Sequence, residues 1–411
     1  MKEYRLTTLS CFVGIFTQAI ITNITAVLFI PLMSLYGFDF VHLGILAGIN
    51  FAAQVTADIS FSGLIDKIGF RRITLPTCAL AFAGLTLFAL TPNLFRGHEY
   101  AGFVLSTVIF AFSSGLLEII LSPIIDGIPN AHKGPAMTLM HSFYAWGQVL
   151  TIVVTTLFLF VAGARHWQAI VFFWALVPLG CFWMFWRAKM PPNAPAHAKA
   201  TGTKLFKNPV FWLVIGAILF GGATEVSINQ WASTFLTGSL NIPKVTSDLL
   251  GMCGFAAMLG LGRTLYGTLG HKVNLGRAMV LGSALCVACY VLAALSPING
   301  LSILACALAG FFASILWPGV IVTGAERFPH GGAWVFAILA AGGDIGAGAG
   351  PFFVGLITQA TQKLPIGQWF TRLYNTTPHG AAMRLGILLA VIFPLGAMAC
   401  NMLILRSKAK R

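Results

Sequence analysis

Apolar residues run along this chain in twelve blocks, and polar residues are largely confined to the short gaps between them. A helix that crosses the hydrocarbon layer needs about 20 predominantly apolar residues. Blocks of that order fall at residues 7–33, 41–65, 73–92, 102–125, 136–162, 168–188, 210–236, 247–269, 277–296, 301–324, 333–358 and 383–405. The pattern predicts an all-α integral membrane protein with twelve transmembrane helices. The first block is too long for the h-region of a signal peptide, and no small-residue cleavage site follows it, so it is expected to be retained. Composition supports the pattern. Of 411 residues, 57% are apolar and only 9% charged, whereas soluble domains carry about 25% charged residues.

Charge then orients the spans. The net charge is +14, from 25 Lys/Arg against 11 Asp/Glu. With both termini inside, 18 of those cations fall in inner loops and tails, and six fall outside, at Arg96, Arg165, Lys244, Lys363, Arg372 and Arg384. Arg263 remains, inside a span. Cytoplasmic loops carry such an excess of Lys and Arg, so the expected location is the cell (inner) membrane with both termini cytoplasmic. The basic charge is thereby explained by topology, and no nucleic-acid partner is implied. Cysteines placed at Lys204 and at Lys244 are expected to react with an impermeant thiol reagent from opposite sides; labelling from one side would overturn the orientation. All eight natural cysteines lie within spans. Even the Cys286–Cys289 pair sits in an apolar frame, which suits small hydrophobic fillers, and neither a metal site nor a cofactor is predicted.

The longest inner gap, residues 187–209, is rich in Pro, Ala and Lys. It divides the chain into a six-helix bundle over 1–186, a cytoplasmic linker over 187–209 and a second six-helix bundle over 210–411. The halves echo one another. The stretch around Asp66 aligns with the one around His271 at a shift of 205 residues, which pairs Asp58 with Arg263. GLLEIILSP from Gly115 aligns with GFFASILWP from Gly310 at a shift of 195. Related halves are how many transporters build a central site near the bilayer midplane. Clustered glycines in the eighth and eleventh blocks suit close helix packing. The outer gap over 359–382, with Trp369 and Tyr374, suits an amphipathic segment at the interface.

Ionisable groups deep in a membrane are expensive and mark function. Those within blocks are Asp58, Glu118, Glu225, Arg263 and Asp344, with His141 also titratable; Asp126 lies near an inner end and is read as structural. Four carboxylates thus face one certain cation. A buried carboxylate lacking a cation takes up a proton or binds a metal cation, so Glu118, Asp58 and Asp344 are candidate proton-coupling groups. The competing reading is a water-filled cavity in which they stay solvated. Around them, Gln18, Asn23, Gln54, His141, Gln148, Asn229 and Gln230 offer donors and acceptors, and Tyr144, Trp146, Trp231 and Trp317 offer flat apolar faces. Amides beside indoles match the hydroxyl edges and C–H face of a sugar.

Several motifs resemble those of a known family. The turn SGLIDKIGFRR, with Asp66, Gly69, Arg71 and Arg72, resembles the loop between the second and third helices of the major facilitator superfamily, with Ser62 and Phe70 as departures. GLLEIILSP, TLMHSFYAWG, GGATEVSINQW and SILWP resemble helix motifs of the fucose–galactose–glucose:proton symporter family. The resemblance implies two pseudo-symmetric six-helix bundles. It further implies that Glu118 is the proton-linked acid, that Glu225 and Asn229 line the cavity, and that the turn from Asp66 to Arg72 acts in gating. Where that family carries a second acid in the first helix, this chain has Val27.

No Walker A, HExxH or GxSxG sequence occurs, and the chain is not read as an enzyme. The short loops leave no room for the signalling domain of a transporter-like receptor. The expected activity is secondary active transport of a sugar or related polyol by alternating access, in symport with protons. The substrate-binding set is Asn23, Gln54, His141, Tyr144, Trp146, Glu225, Asn229, Gln230, Trp231, Arg263 and Trp317. Alternatives are an organic-anion carrier that uses Arg263, and a sodium-coupled or uncoupled sugar carrier. Expected partners are the small-molecule substrate, protons and the lipid bilayer, with the protein a monomer.

Overall fold

The structure is a computed structural model that describes residues 2–61, 68–128, 133–191, 205–269, 273–328 and 332–407. Asp66 of the turn motif lies outside the described residues, as do Lys204 and His271, and the side chains of Asp126 and His141. Among the described residues there is no strand, and twelve helices are long and apolar enough to cross a membrane. The protein is an all-α, multi-pass membrane protein.

In chain order the helices are α1 (Arg5–Val27), α2 (Phe29–Tyr36), α3 (Phe40–Phe61), α4 (Phe70–Leu94), α5 (Glu99–Gly127), α6 (Lys133–Ala162) and α7 (Trp167–Arg187). Then follow α8 (Pro209–Leu240), α9 (Gly254–Leu269), α10 (Leu275–Leu295), α11 (Asn299–Ala313) and α12 (Leu316–Arg327). The last four are α13 (Gly332–Thr361), α14 (Pro365–Leu373), α15 (Pro378–Leu389) and α16 (Ile392–Arg406).

Helix starts obey local chemistry. Asn208 caps α8 by accepting from the Val210 amide at 2.9 Å, with Pro209 in the first turn. Thr377 caps α15 by accepting from Gly380 at 3.0 Å, ahead of Pro378. A side-chain oxygen at the cap satisfies an orphan amide, and proline has no amide to leave unpaired there.

Three predicted spans are each split into two helices. The breaks fall at Leu28, at Ser314–Ile315 and at Ala390–Val391, just before Pro31, Pro318 and Pro394. A proline removes one hydrogen bond and crowds the carbonyl four residues back. Pro123 and Pro178 sit in helices that continue past them. The eighth span begins differently, with a short helix Lys244–Ser247 and a π-helical turn Asp248–Cys253 leading into α9.

By packing, the described chain forms two compact units. Unit 1 comprises Met1–Pro31 and Ile49–Lys199; unit 2 comprises Leu32–Gly48 and Ala200–Arg411. Unit 1 has an apolar core around Cys11, Ile15, Leu117, Leu121 and Phe185. One of its ends is tied by polar contacts: Thr7 donates to the Lys189 carbonyl at 2.6 Å, and the Arg71 guanidinium donates to the Ala188 carbonyl. The exposed Lys189 ammonium hydrogen-bonds Glu3 and holds its carboxyl below the usual range. Gly69, at φ +91°, turns the chain into α4, and Arg72 is exposed.

Unit 2 is organised around α8, which is buried along most of its length. Its core includes Phe211, Ile218, Leu316 and Leu339. The segment Leu32–Gly48 packs within this unit: Phe40 lies 5.9 Å from Trp231, ring to ring, and 5.4 Å from His379.

Candidate functional site

In unit 1 the buried and half-buried polar residues of α1, α3, α5 and α6 meet in pairs. Gln18 donates from Nε2 to Glu118 Oε2 at 2.8 Å. Gln148 donates from Nε2 to Asn23 Oδ1 at 2.7 Å, and Asn23 donates to the Ala19 carbonyl at 2.8 Å. Gln54 donates to Asn50 Oδ1 at 2.8 Å and accepts from Ser114 Oγ at 3.0 Å. The last contact depends on a glycine. A Cβ at Gly115 would lie 2.6 Å from the Gln54 carbonyl oxygen, so only glycine lets α5 approach α3 this closely. Glu118 takes part in no ion pair among the described residues; Gln18 is its hydrogen-bond partner. Asp58 is fully buried in the same unit.

In unit 2, Glu225 and Asn229 are four residues apart on α8 and share a face. Arg263 of α9 reaches Glu225 through one nitrogen, Nη2, at 2.9 Å from Oε1 and 3.0 Å from Oε2. Its Nε donates to the Ser314 carbonyl at 3.4 Å. That carbonyl is the one Pro318 leaves without its helical donor, so a helix break supplies the acceptor that steers the arginine. The Nη1 group of Arg263 donates to no described residue, which leaves one edge of the guanidinium unused. Gln230 and Asp344 are buried in this unit.

The aromatic candidates separate. Trp231 is fully buried and donates from Nε1 to the Pro351 carbonyl at 2.9 Å. Tyr144 packs against the apolar core of unit 1, whereas Trp146 is 50% exposed. Trp317 is half-buried against Gly343, where a Cβ would come within 2.5 Å of the ring. Asn50 and Ser114 complete the amide cluster without having been singled out by sequence. The signal for Asn50 was present, four residues before Gln54 on one helical face; Ser114 had none.

Twelve spans with carboxylates, amides and arginines drawn into them, Arg263 in part and Arg384 fully buried, define a membrane protein whose polar groups serve its interior. The model of the Major Facilitator Superfamily matches residues 11–351. The chain belongs to that superfamily and is a transporter. No curated protein sequence matches it. Among solved structures it is similar to a bacterial homologue of the human lysosomal transporter Spinster in an inward-facing, occupied conformation. That match has a TM-score of 0.78 and 16% identity, and covers 100% of this chain and 98% of that one. It is also similar to a D-xylose–proton symporter, with TM-score 0.73, 14% identity and coverage of 95% and 96%. The E. coli fucose:proton symporter gives TM-score 0.65 and 13% identity over 99% and 100% of the two chains. At such identities the likeness is one of fold.

Proposed function

We propose that this protein transports a sugar or related polyol by alternating access in symport with protons, as two six-helix halves, 1–186 and 210–411, joined by residues 187–209. The observation that favours a neutral cargo is the Glu225–Arg263 pair. An arginine already paired with a carboxylate offers no surplus positive charge to an anionic substrate. Beside it stand the amides of Asn229 and Gln230 and the Nη1 edge of the guanidinium, groups of the kind that hydrogen-bond hydroxyls. Two of the fold's solved relatives carry sugar–proton symporter in their names, which supports the same substrate class.

The coupling group is Glu118. Glu118 is half-buried, and among the described residues its carboxylate has an amide for a partner where Glu225 has a cation; a carboxylate drawn out of water without a cation gains more from taking up a proton than one that is paired. The Gln18 amide holds the carboxyl in one orientation and accommodates both protonation states, because an amide offers a donor and an acceptor. Asp58 and Asp344 stand in reserve for the same role, and the turn from Gly69 to Arg72 is assigned to gating with Asp66. Both termini are placed in the cytoplasm of a cell inner membrane.

Counterflow in proteoliposomes tests this reading. Loaded with one unlabelled monosaccharide after another, the liposomes are expected to take up that labelled sugar transiently. Counterflow with carboxylates and with no sugar would establish the organic-anion alternative in its place.

A further inference from the structure

Unit 2 contains a cavity of about 270 Å³ lined by Ser239, Asn241, Asn299, Tyr374, Asn375 and Arg384, among others. It lies where α8 ends, α10 and α11 meet, and α14 is followed by α15. Liquid water occupies about 30 Å³ per molecule, so the space suits a polar group several times larger.

Arg384 sets the character of this cavity. It is 3% exposed and takes part in no ion pair among the described residues. Its Nη1 donates to the carbonyls of Ala294, at 2.8 Å, and Ser296, at 3.1 Å. These contacts cap the end of α10, whose terminal carbonyls carry about half a negative charge. The guanidinium carbon stacks 4.1 Å from the Tyr374 ring centre, and the Tyr374 hydroxyl is held by the Leu295 carbonyl at 2.8 Å. Among the described residues the buried Nε has no hydrogen-bond partner and Nη2 donates to none. A buried cation without a counter-ion is strongly disfavoured. The sequence supplies none nearby on its own strand of chain, since no Asp or Glu occurs after Asp344.

The surroundings say what completes the site. Helix α14 is amphipathic, with Ile366, Trp369 and Leu373 exposed; exposed Lys363 precedes it and exposed Arg372 lies in its last turn. A short helix with an apolar face and basic flanks lies in the interface of a bilayer and favours anionic lipid. The cavity mouth therefore opens at the level of phosphate groups. Asn241, Asn299 and Asn375 are exposed at that mouth and add amide donors.

We propose that this cavity binds a phosphate oxyanion on the free edge of Arg384, presented either by the headgroup of an anionic phospholipid or by free phosphate. The site is separate from the polar residues assigned to transport and does not depend on the substrate being a sugar.

The test uses the purified full-length protein. Native mass spectrometry counts retained phosphatidylglycerol against phosphatidylcholine, and thermal unfolding is followed during titration with inorganic phosphate. Asn375→Asp places a negative charge at the mouth, at a position whose φ of +45° aspartate tolerates. Like charges brought together at a binding surface are costly, so this variant is expected to weaken binding about tenfold or more. Arg384→Lys keeps the charge but loses the planar fork and is expected to fall between the two. Phosphatidylglycerol retention without a phosphate effect would identify the lipid as the source. A phosphate effect without lipid retention would identify the free ion. Binding of neither probe, or binding unchanged by Asn375→Asp, would overturn the proposal.

Discussion

Glu118→Gln is expected to abolish accumulation of substrate against its gradient while leaving counterflow at equal pH largely intact. One pH unit stores about 1.4 kcal/mol per proton, enough for about tenfold accumulation when one proton accompanies one substrate. A glutamine cannot exchange that proton, so the tenfold excess should collapse to simple equilibration. The neutral amide resembles the protonated acid in shape and can still meet Gln18, whose Nε2 lies 2.8 Å from the native carboxylate. Exchange between identical solutions needs no net proton movement and should survive. Uptake into proteoliposomes with and without an imposed pH gradient separates the two outcomes. If the variant still concentrates substrate, the coupling group is another acid, with Asp58 and Asp344 next.

Breaking the Glu225–Arg263 pair should harm the protein itself. Arg263→Ala leaves Glu225, 7% exposed, as a buried charge without its partner, and removal of one member of such a pair costs about 3–5 kcal/mol. Adding Glu225→Gln removes the stranded charge and should recover most of the loss. Thermal unfolding of the two single variants and the double variant in detergent gives the coupling directly. Additive effects would mean that the 2.9 Å contact contributes little. Glu225→Gln alone is expected to weaken substrate binding by about 1–3 kcal/mol, the range for a lost charged hydrogen bond, whichever way the pH gradient points.

The spans were legible because a bilayer demands long apolar runs, and twelve helices of the required length and apolarity follow those runs closely. What patterning missed were interruptions. An apolar window reads straight through Leu28 or Ser314, since a proline three or four residues later changes the hydrogen bonding and leaves mean hydropathy almost untouched. The Glu225–Arg263 contact was foreseeable in outline, as opposite charges on consecutive spans lower their energy by meeting. The partner of Glu118 was less so. Gln18 lies 100 residues away on another span, and nothing local distinguishes it from Gln148, which pairs with Asn23 instead. Aromatic residues were the least legible. Trp231 and Trp146 lie on membrane helices among polar neighbours, yet one is fully buried with its indole nitrogen satisfied and the other is half exposed. Sequence records the ring and not the neighbour that fills its face.

The packing of Leu32–Gly48 bears on how this chain can be taken apart. Gly44 lies against the backbone of Phe352, where a Cβ would come within 3.4 Å, and a Cβ at Gly355 would meet the Phe40 carbonyl oxygen at 2.7 Å. A nick anywhere in 192–204 would therefore leave the earlier fragment holding a seventeen-residue piece whose neighbours belong to the later one. Expressed alone, the later fragment would present a bare apolar groove beside α13 and Trp231, a surface prone to recruiting chaperones or aggregating. Produced together, the two fragments would carry their own means of mutual recognition. The same inheritance makes a chimera joined at the linker a mismatch of partners, whereas one that also exchanges residues 32–48 keeps each surface with the side chains that shaped it.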